Sequence, residues 1–567
     1  MKVVIIGGVA GGASCAARIR RLDENAEITI YERSGYISYA NCGLPYYIGG
    51  TISDHSEMTL QTPQGFWKRF RIKANIHHEV MSINKDSKNI VVKNLETGEE
   101  FNDYYDKLLI APGASPIKPQ IDGLDTCSRV FTLRTLEDAE KIEGFITQET
   151  PKDAVIIGGG FIAIELAENL RDKGINVTIV EMTNQLMAPF DSDMASFIHA
   201  EMRKNGVNLL FNNSAKAVSE EKGKILVTLS SGNTLSTDMI ALAAGVMPDN
   251  KLAREAGLQL GIKGAIVVDE YMQTSVPDIY AAGDAVQIKN YITENDAVIL
   301  LAGPANKEGH IAADNICGRK TAYKGAMGSS VVKIFNMTAA STGLNEKNAK
   351  AAGIDYDKVV VAPSSHAGYY PGGTALTFKL LFEKKTNRVI GAQIVGAEGV
   401  DKRIDVIATA IYNRMEASDL ENIDLAYAPP YSSAKDPVNM AGYVANNAIT
   451  GLVKQFHIEQ LPEIYAMGDR VTLLDVRTPG EYSRGHADGF LNIPVDELRE
   501  RITEVSKDKP VYVMCQSALR SYIACRILSQ NGYDCYNFSG GYRFYDSVTK
   551  ERKQSEAIFP CGADKLS

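Results

Sequence analysis

The sequence predicts an α/β protein of several domains. Three observations carry that expectation. Two stretches in the first third each run strand, glycine turn, helix, strand and end on a glutamate; a third, near the C-terminus, runs strand, cysteine loop, helix. Short, wholly apolar strands joined through helices are the mark of parallel sheets covered on both faces. At 567 residues the chain exceeds what one hydrophobic core supports, so the units fall in separate domains.

Composition narrows the function classes. Hydrophobic residues make up 45% and charged residues 23%, the balance of a globular protein. A formal net charge of −9 argues against nucleic acid, which selects a basic face. No apolar run has membrane-spanning length. Met1-Lys-Val-Val-Ile-Ile-Gly7 is too short for a signal peptide and enters a glycine loop directly. The expectation is a cytoplasmic protein with neither membrane nor nucleic acid as partner. Eight cysteines with no C-x-x-C pair make neither a disulfide framework nor a zinc site, and no metal is expected.

Lys2-Val-Val-Ile-Ile6 reads as a buried strand, and Gly7-Gly8-Val-Ala-Gly11-Gly12 as the turn into an alanine-rich helix reaching Arg21. The strand Glu27-Ile-Thr-Ile-Tyr31 ends at Glu32, followed by Arg33. Such a unit seats a dinucleotide, with phosphates on the helix N-terminus and an acid about 20 residues on for a ribose hydroxyl. Val9 replaces the middle glycine of G-x-G-x-x-G, so the surrounding strand, helix and acid carry the expectation. A second unit runs Asp153-Ala-Val-Ile-Ile157, Gly158-Gly-Gly160-Phe-Ile-Ala163, a helix to Arg171, and Val177-Thr-Ile-Val180 ending at Glu181. Glu181 is placed to bind the adenosine ribose. A carboxylate there repels a 2′-phosphate and no Arg follows it, which favours NADH over NADPH. Two such folds in this order imply FAD and then a nicotinamide cofactor.

Thr274-Ser-Val-Pro-Asp-Ile-Tyr-Ala-Ala-Gly283-Asp284, Leu109-Ile-Ala-Pro112-Gly113 and Ala243-Ala-Gly245-Val-Met-Pro248 complete an ordered set. It resembles the pyridine nucleotide-disulfide oxidoreductase superfamily over residues 1–325. The resemblance implies that Asp284 binds the ribityl chain of FAD and that Pro112, Gly113 and Gly245 lie in crossover segments. From residue 327 the pattern changes to strands at Ser329–Phe335, Ala375–Phe382 and Val389–Val395, with helices near Arg403–Asn413 and Pro437–Ala448. The resemblance makes this α+β part the dimerisation domain and the protein a homodimer. Val471-Thr-Leu-Leu-Asp475-Val-Arg477, Gly485-His486, and a cysteine loop between the strand Pro510–Met514 and a helix from Tyr522 to Gln530 resemble an α/β rhodanese domain. The expected organisation is FAD-binding at 1–150 and 269–326, NADH-binding at 151–268, dimerisation at 327–448, a linker at 449–468, rhodanese at 469–552 and a patternless tail at 553–567.

Two thiols stand out. Ser38-Tyr-Ala-Asn41-Cys42-Gly-Leu-Pro-Tyr46-Tyr47 gives Cys42 no C-x4-C partner. A lone cysteine near a flavin either cycles as a sulfenic acid or forms a mixed disulfide with an external thiol. The peroxidases and oxidases of the superfamily carry a His in the first glycine loop, where this chain has Val9-Ala10. The context instead resembles coenzyme A disulfide reductases fused to rhodanese, also described as NADH-dependent persulfide or polysulfide reductases. The resemblance implies CoA as bound substrate, with Ser38 and Asn41 beside it. It also implies tyrosines from the partner subunit's dimerisation domain that protonate or orient the leaving thiolate: Tyr369 and Tyr427, with Tyr370 and Tyr431 as alternatives. CoA phosphates need cations, and Arg18, Arg21, Lys68, Arg69 and Arg71 are available.

The second thiol, Cys515-Gln-Ser-Ala518-Leu-Arg520, is a C-x4-R loop closed by Arg520. Loop N–H groups and a helix N-terminus lower a thiol pKa and stabilise a persulfide. Ala518 occupies a position where glycine is frequent, and strain is expected there if φ is positive. Cys525, Cys535 and Cys561 lack this context and read as structural or incidental. An NADH oxidase or peroxidase, or a redox-sensing flavoprotein, is the alternative to a reductase.

Overall fold

The alternating units of the first half build two parallel sheets. The computed structural model describes residues 1–557. One sheet orders Ile279–Ala281, Lys107–Ile110, Lys2–Ile6, Glu27–Tyr31 and Ile72–Asn75, all parallel. The other orders Val207–Leu210, Asn176–Val180, Asp153–Ile157, Met239–Leu242 and Val130–Thr132, again all parallel. Val3, Val4, Ile5 and Ile156 are fully buried, because such sheets are covered on both faces. Each carries a three-stranded antiparallel insertion that periodicity left unassigned, at His78–Tyr104 and Ala215–Thr237. Pro116 and Pro248 lie in a short antiparallel pair, Ala114–Pro116 with Val246–Pro248, that brings the two crossover segments together.

These elements form one unit, residues 1–184 with 205–328; the second unit is 185–204 with the chain from 329 onward. The helix Ser192–Lys204, expected inside the NADH-binding section, therefore packs with the second unit.

The second unit holds two sheets. An antiparallel one orders Ser330–Ile334, Met337–Gly343, Val389–Gly396, Thr377–Glu383 and Tyr356–Val361, with helix Val400–Tyr412 packed on it. A parallel one orders Lys454–Phe456, Cys535–Phe538, Val511–Met514, Thr472–Asp475 and Leu491–Asn492. The expected linker is thus structured: its strand Lys454–Phe456 is an edge of the rhodanese sheet, and Leu461–Ala466 is helical. The closing helix Gly541–Ala557 runs five residues into the supposed tail, and Cys561 lies outside the described residues. Two contacts join the parallel sheet's last turn to the antiparallel domain. Val360 N–H donates to Ser539 Oγ at 2.9 Å, and Arg543 donates to Ala375 O at 3.4 Å.

A buried ionic cluster ties this unit together. Lys379, 0% exposed, sits among Asp191 and Asp193, each at 2.9 Å, and Glu346. Lys358 pairs with Glu346 at 2.8 Å and with Glu459 at 2.5 Å. The three carboxylates have the spacing of a cation site among the described residues, and the Lys379 ammonium occupies its centre. The clustered cations hold Glu346 well below the usual carboxylate range, against the burial that opposes it.

Candidate active site

Both glycine turns are built for phosphate. Gly7 has φ +92°, and a Cβ there would lie 2.1 Å from Ala111 O; a Cβ on Gly12 would lie 1.9 Å from Gly7 O. Gly11 packs against Ala282 and Ala305, and a Cβ on Gly8 would strike Ile37. Val9 needs no glycine because its φ is −101°. In the second turn Gly158 has φ +112° with Ala243 O 2.2 Å from an added Cβ, while Gly160 faces open space. Helices Ala10–Leu22 and Phe161–Asp172 both begin without a side-chain cap and without an acid in the first turn. Their first N–H groups are therefore uncommitted to side chains, the arrangement that receives a pyrophosphate. The residues present fit two dinucleotides on this ground.

The acids that end the second strands differ. Glu32 is buried and accepts from Gly8 N–H at 2.8 Å and Ser34 N–H at 2.9 Å, bracing the turn; burial raises its pKa. Arg33 pairs with Asp249 at 3.1 Å. Glu181 accepts from the Thr183 N–H and hydroxyl at 2.7 and 2.8 Å. Gly113, Gly245 and Gly283 all have positive φ, as tight turns at strand ends require.

Cys42 lies in a single helical turn, Asn41–Gly43, just before helix Leu44–Gly49. Ser38 N–H donates to Gly8 O at 2.9 Å, anchoring this segment to the first glycine turn. The thiol is solvent-accessible. Partial burial, then the charges of Glu165 and Asp284, push its pKa up, and Arg134 pulls it down. Arg134 organises the site. Its Nε donates to Ala114 O at 2.8 Å and its Nη2 lies 3.7 Å from Asp284. With the Asn41 amide turned to satisfy both its ends, its nitrogen donates to Arg134 O at 2.9 Å and its oxygen faces the guanidinium. The Asn41-Cys42 segment and Asp284, more than 200 positions apart in sequence, thus meet around a residue that belongs to no motif. Two further carboxyls escaped sequence reasoning. Glu308 is buried, accepts from Gly283 N–H at 2.8 Å, and is pushed up to about 8 by burial. Glu165 receives the Tyr46 hydroxyl at 3.4 Å, and burial raises it to about 7. For Glu165 the sequence signal was present: it stands within the apolar run Phe161-Ile-Ala-Ile-Glu-Leu-Ala167 that opens its helix.

Because the Glu165 carboxylate disfavours a nearby thiolate, Glu165→Gln lowers the Cys42 pKa. The expected result is alkylation of Cys42 by iodoacetamide at pH 8 that is several-fold, roughly 3 to 10 times, faster than in the parent; an unchanged rate removes Glu165 from the electrostatics of the thiol.

A cavity of about 410 Å³ opens beside this segment, lined among others by Ser38, Arg21, Phe66, Asn306 and His310. Arg21 thus faces it. Arg18 instead pairs with Asp314 at 2.8 Å, so its charge is already met. Lys68 and Arg71 are exposed at the end of helix Pro63–Phe70, with the Arg71 guanidinium 5.4 Å from the Trp67 ring centroid. The tyrosines belong to the second unit. Tyr369 and Tyr427 are exposed with their hydroxyls 2.6 Å apart, and that bond raises the Tyr427 pKa; Tyr370 and Tyr431 are exposed beside them in sequence.

The second thiol loop joins strand Val511–Met514 to helix Leu519–Gln530. Cys515 is fully buried and its Sγ accepts from the Ser521 hydroxyl at 3.2 Å. Ala518 has φ +68°, so the strain expected of a non-glycine residue is present, at a cost of about 1–2 kcal/mol. Gly541, φ +71°, lets the next turn close on the loop: Tyr542 N–H donates to Cys515 O at 2.7 Å and Arg543 N–H to Gln516 O at 3.2 Å. Arg520 makes a two-pronged pair with Glu481, both contacts 2.7 Å, which holds that carboxyl down to about 2. Arg477, buried against Asp475, lies 3.9 Å from the Tyr542 ring centroid.

Two dinucleotide turns meeting an accessible thiol define an oxidoreductase that moves electrons between nucleotide cofactors and sulfur. Residues 1–309 match the family described as pyridine nucleotide-disulphide oxidoreductase, 329–437 its dimerisation domain, and 459–546 the rhodanese-like domain. The chain belongs to the pyridine nucleotide-disulphide oxidoreductases, flavoenzymes that use FAD and a nicotinamide, with a rhodanese domain at its C-terminal end. It is 37% identical over 446 residues to the coenzyme A disulfide reductase of Staphylococcus epidermidis, covering 78% of this chain and 99% of that protein. Among solved structures it is similar to reduced Bacillus anthracis CoADR-RHD, with TM-score 0.95 and 47% identity over 97% of this chain and 98% of that one. It is also similar to a NAD-dependent persulfide reductase from A. fulgidus, with TM-score 0.90 and 37% identity over 96% and 100%. Among the described residues, no helix is long and apolar enough to cross a membrane.

Proposed function

We propose that the protein reduces CoA disulfide, CoA persulfide or polysulfide with electrons from NADH, through Cys42, and that Cys515 carries sulfane sulfur. The observation that carries this is Cys42 itself: an accessible thiol with no disulfide partner among the described residues, gathered with Asp284 around Arg134. The glycine turn at Gly7–Gly12 and Asp284 would hold FAD; the turn at Gly158–Gly160 and Glu181 would hold the nicotinamide. Together these supply two electrons to the thiol site. The Glu181 carboxylate, at the end of its strand, favours NADH by repelling a 2′-phosphate. Cys42 attacks the acceptor's sulfur and keeps one half as a mixed disulfide while the other leaves. The cavity with Ser38 and Arg21 receives the CoA moiety. The paired hydroxyls of Tyr369 and Tyr427, brought by a partner subunit in a homodimer, hold the proton for the departing thiolate. Arg520, tied to Glu481, braces the Cys515 loop.

The test is anaerobic NADH oxidation with sulfide detection, offering CoA disulfide, CoA persulfide and polysulfide in turn. Cys515→Ser is expected to keep CoA-disulfide reduction within about twofold and to cut polysulfide turnover by roughly tenfold or more. An equal fall in both activities refutes the division of labour between the two cysteines.

A further inference from the structure

The rhodanese domain contains two more thiols that the cycle above does not use. Cys515, Cys525 and Cys535 lie in one apolar core, none more than 7% exposed. Cys525 is on the helix that leaves the Cys515 loop, and Cys535 is on the neighbouring strand. The Cys535 thiol donates to Cys525 O at 3.3 Å, so the two residues touch. The path back to Cys515 is short. Ser521, whose hydroxyl touches Cys515 Sγ at 3.2 Å, is followed on the same helix face one turn later by Cys525. Cys525 also feels the charge of Cys515. A single buried cysteine is inert packing. Two in contact, a helical turn from a sulfur-carrying third, form a dithiol.

We propose that Cys525 and Cys535 are a second redox site, which takes the sulfane sulfur of a Cys515 persulfide and releases it as sulfide while closing to a disulfide. The proposal rests on the sulfur-carrying role of Cys515 given above. In the first step the Cys525 thiolate attacks the outer sulfur of Cys515–S–SH, returning the Cys515 thiolate and leaving a persulfide on Cys525. In the second, Cys535 attacks the inner sulfur of that persulfide, forms the Cys525–Cys535 disulfide and expels hydrosulfide. The two thiols lose two electrons, the sulfane sulfur gains them, and the thiol protons leave with Cys515 and the sulfide. The site would discharge one sulfur per chain without nicotinamide, and would then wait for an external thiol to reopen it.

The experiment uses the full-length chain, reduced, exposed anaerobically to inorganic polysulfide without NADH, freed of excess reagent, alkylated and digested without reductant. Mass spectrometry is expected to find the Cys525 and Cys535 peptides joined, with about one sulfide released per chain. In Cys515→Ser the joined pair should fall by roughly tenfold or more, and Cys535→Ala should leave the extra sulfur on the protein and stop its release. If Cys515 carries an added sulfur while Cys525 and Cys535 are both alkylated, the inference is overturned and the role of Cys515 stands. If Cys515 takes up no sulfur, both fall. A pair that joins undiminished in Cys515→Ser overturns the route through Cys515.

Discussion

Replacing Cys42 with Ser is expected to lower kcat/KM for every acceptor by about 10³-fold or more, since a hydroxyl at neutral pH neither attacks a disulfide nor forms a mixed one. The geometry makes the substitution clean. Cys42 is accessible and free, so exchanging sulfur for oxygen empties no cavity and orphans no buried donor. Arg134, Asn41 and Asp284 keep their contacts. Bleaching of the flavin absorbance by NADH should persist in the variant, because the two glycine turns are untouched, while sulfide and CoA thiol cease to appear. Substantial CoA-disulfide reduction by the variant would mean that the acceptor is reduced without a covalent adduct. The contrast with Cys515→Ser separates the two thiols: one loss is general, the other selective.

The second large effect is on stability. Lys379→Met is expected to destabilise the second unit by about 3–5 kcal/mol, the cost of leaving charges buried without their counterion. Lys358 still serves Glu346, so the orphaned groups are Asp191 and Asp193, both close to Lys379 at 2.9 Å. Burial already raises Asp191, and without the ammonium it has more reason to take a proton. The pH dependence follows with a definite sign. Glu346 is depressed in the folded protein, so its contribution is present above the unfolded carboxylate pKa, near 4.3, and is lost as pH falls below it. In the variant the orphaned aspartates protonate instead, and the penalty shrinks toward acid. The urea midpoint of the unit should fall at pH 7 and approach the parent's near pH 4. A gap of equal size at both values would assign the loss to packing rather than charge.

What could be foreseen follows from what is local in sequence. The glycine turns, their flanking strands and the C-x4-R loop are short-range patterns, and the structure holds each in place: Gly7 and Gly158 have no room for a Cβ, and Ala518 does adopt positive φ. Family, fold class and the rhodanese domain were therefore readable. Arg134 was not, because its role arises from three partners brought in by folding, Ala114, Asn41 and Asp284, and nothing beside it in sequence marks it. Arg18 shows the converse: a cation singled out for a ligand already has Asp314, a pairing between residues 296 positions apart. The supposed linker failed for a different reason. Lys454-Gln-Phe456 is too short to show alternation, and only its register against Tyr536 and Phe538 makes it a strand.

The join between Ser539 and Val360 has a consequence for how the polypeptide avoids pairing with other chains. Tyr356–Val361 is the outermost strand of its antiparallel sheet and reads Tyr-Asp-Lys-Val-Val-Val, with its last four residues buried. An uncovered rim of that kind is a template for pairing with other chains. Here the Val360 amide is taken by Ser539, and the Arg543 side chain reaches Ala375 on the segment that leads into the neighbouring strand. The sulfur-handling module thus also serves as a guard rail, blunting the edge of the domain it is fused to.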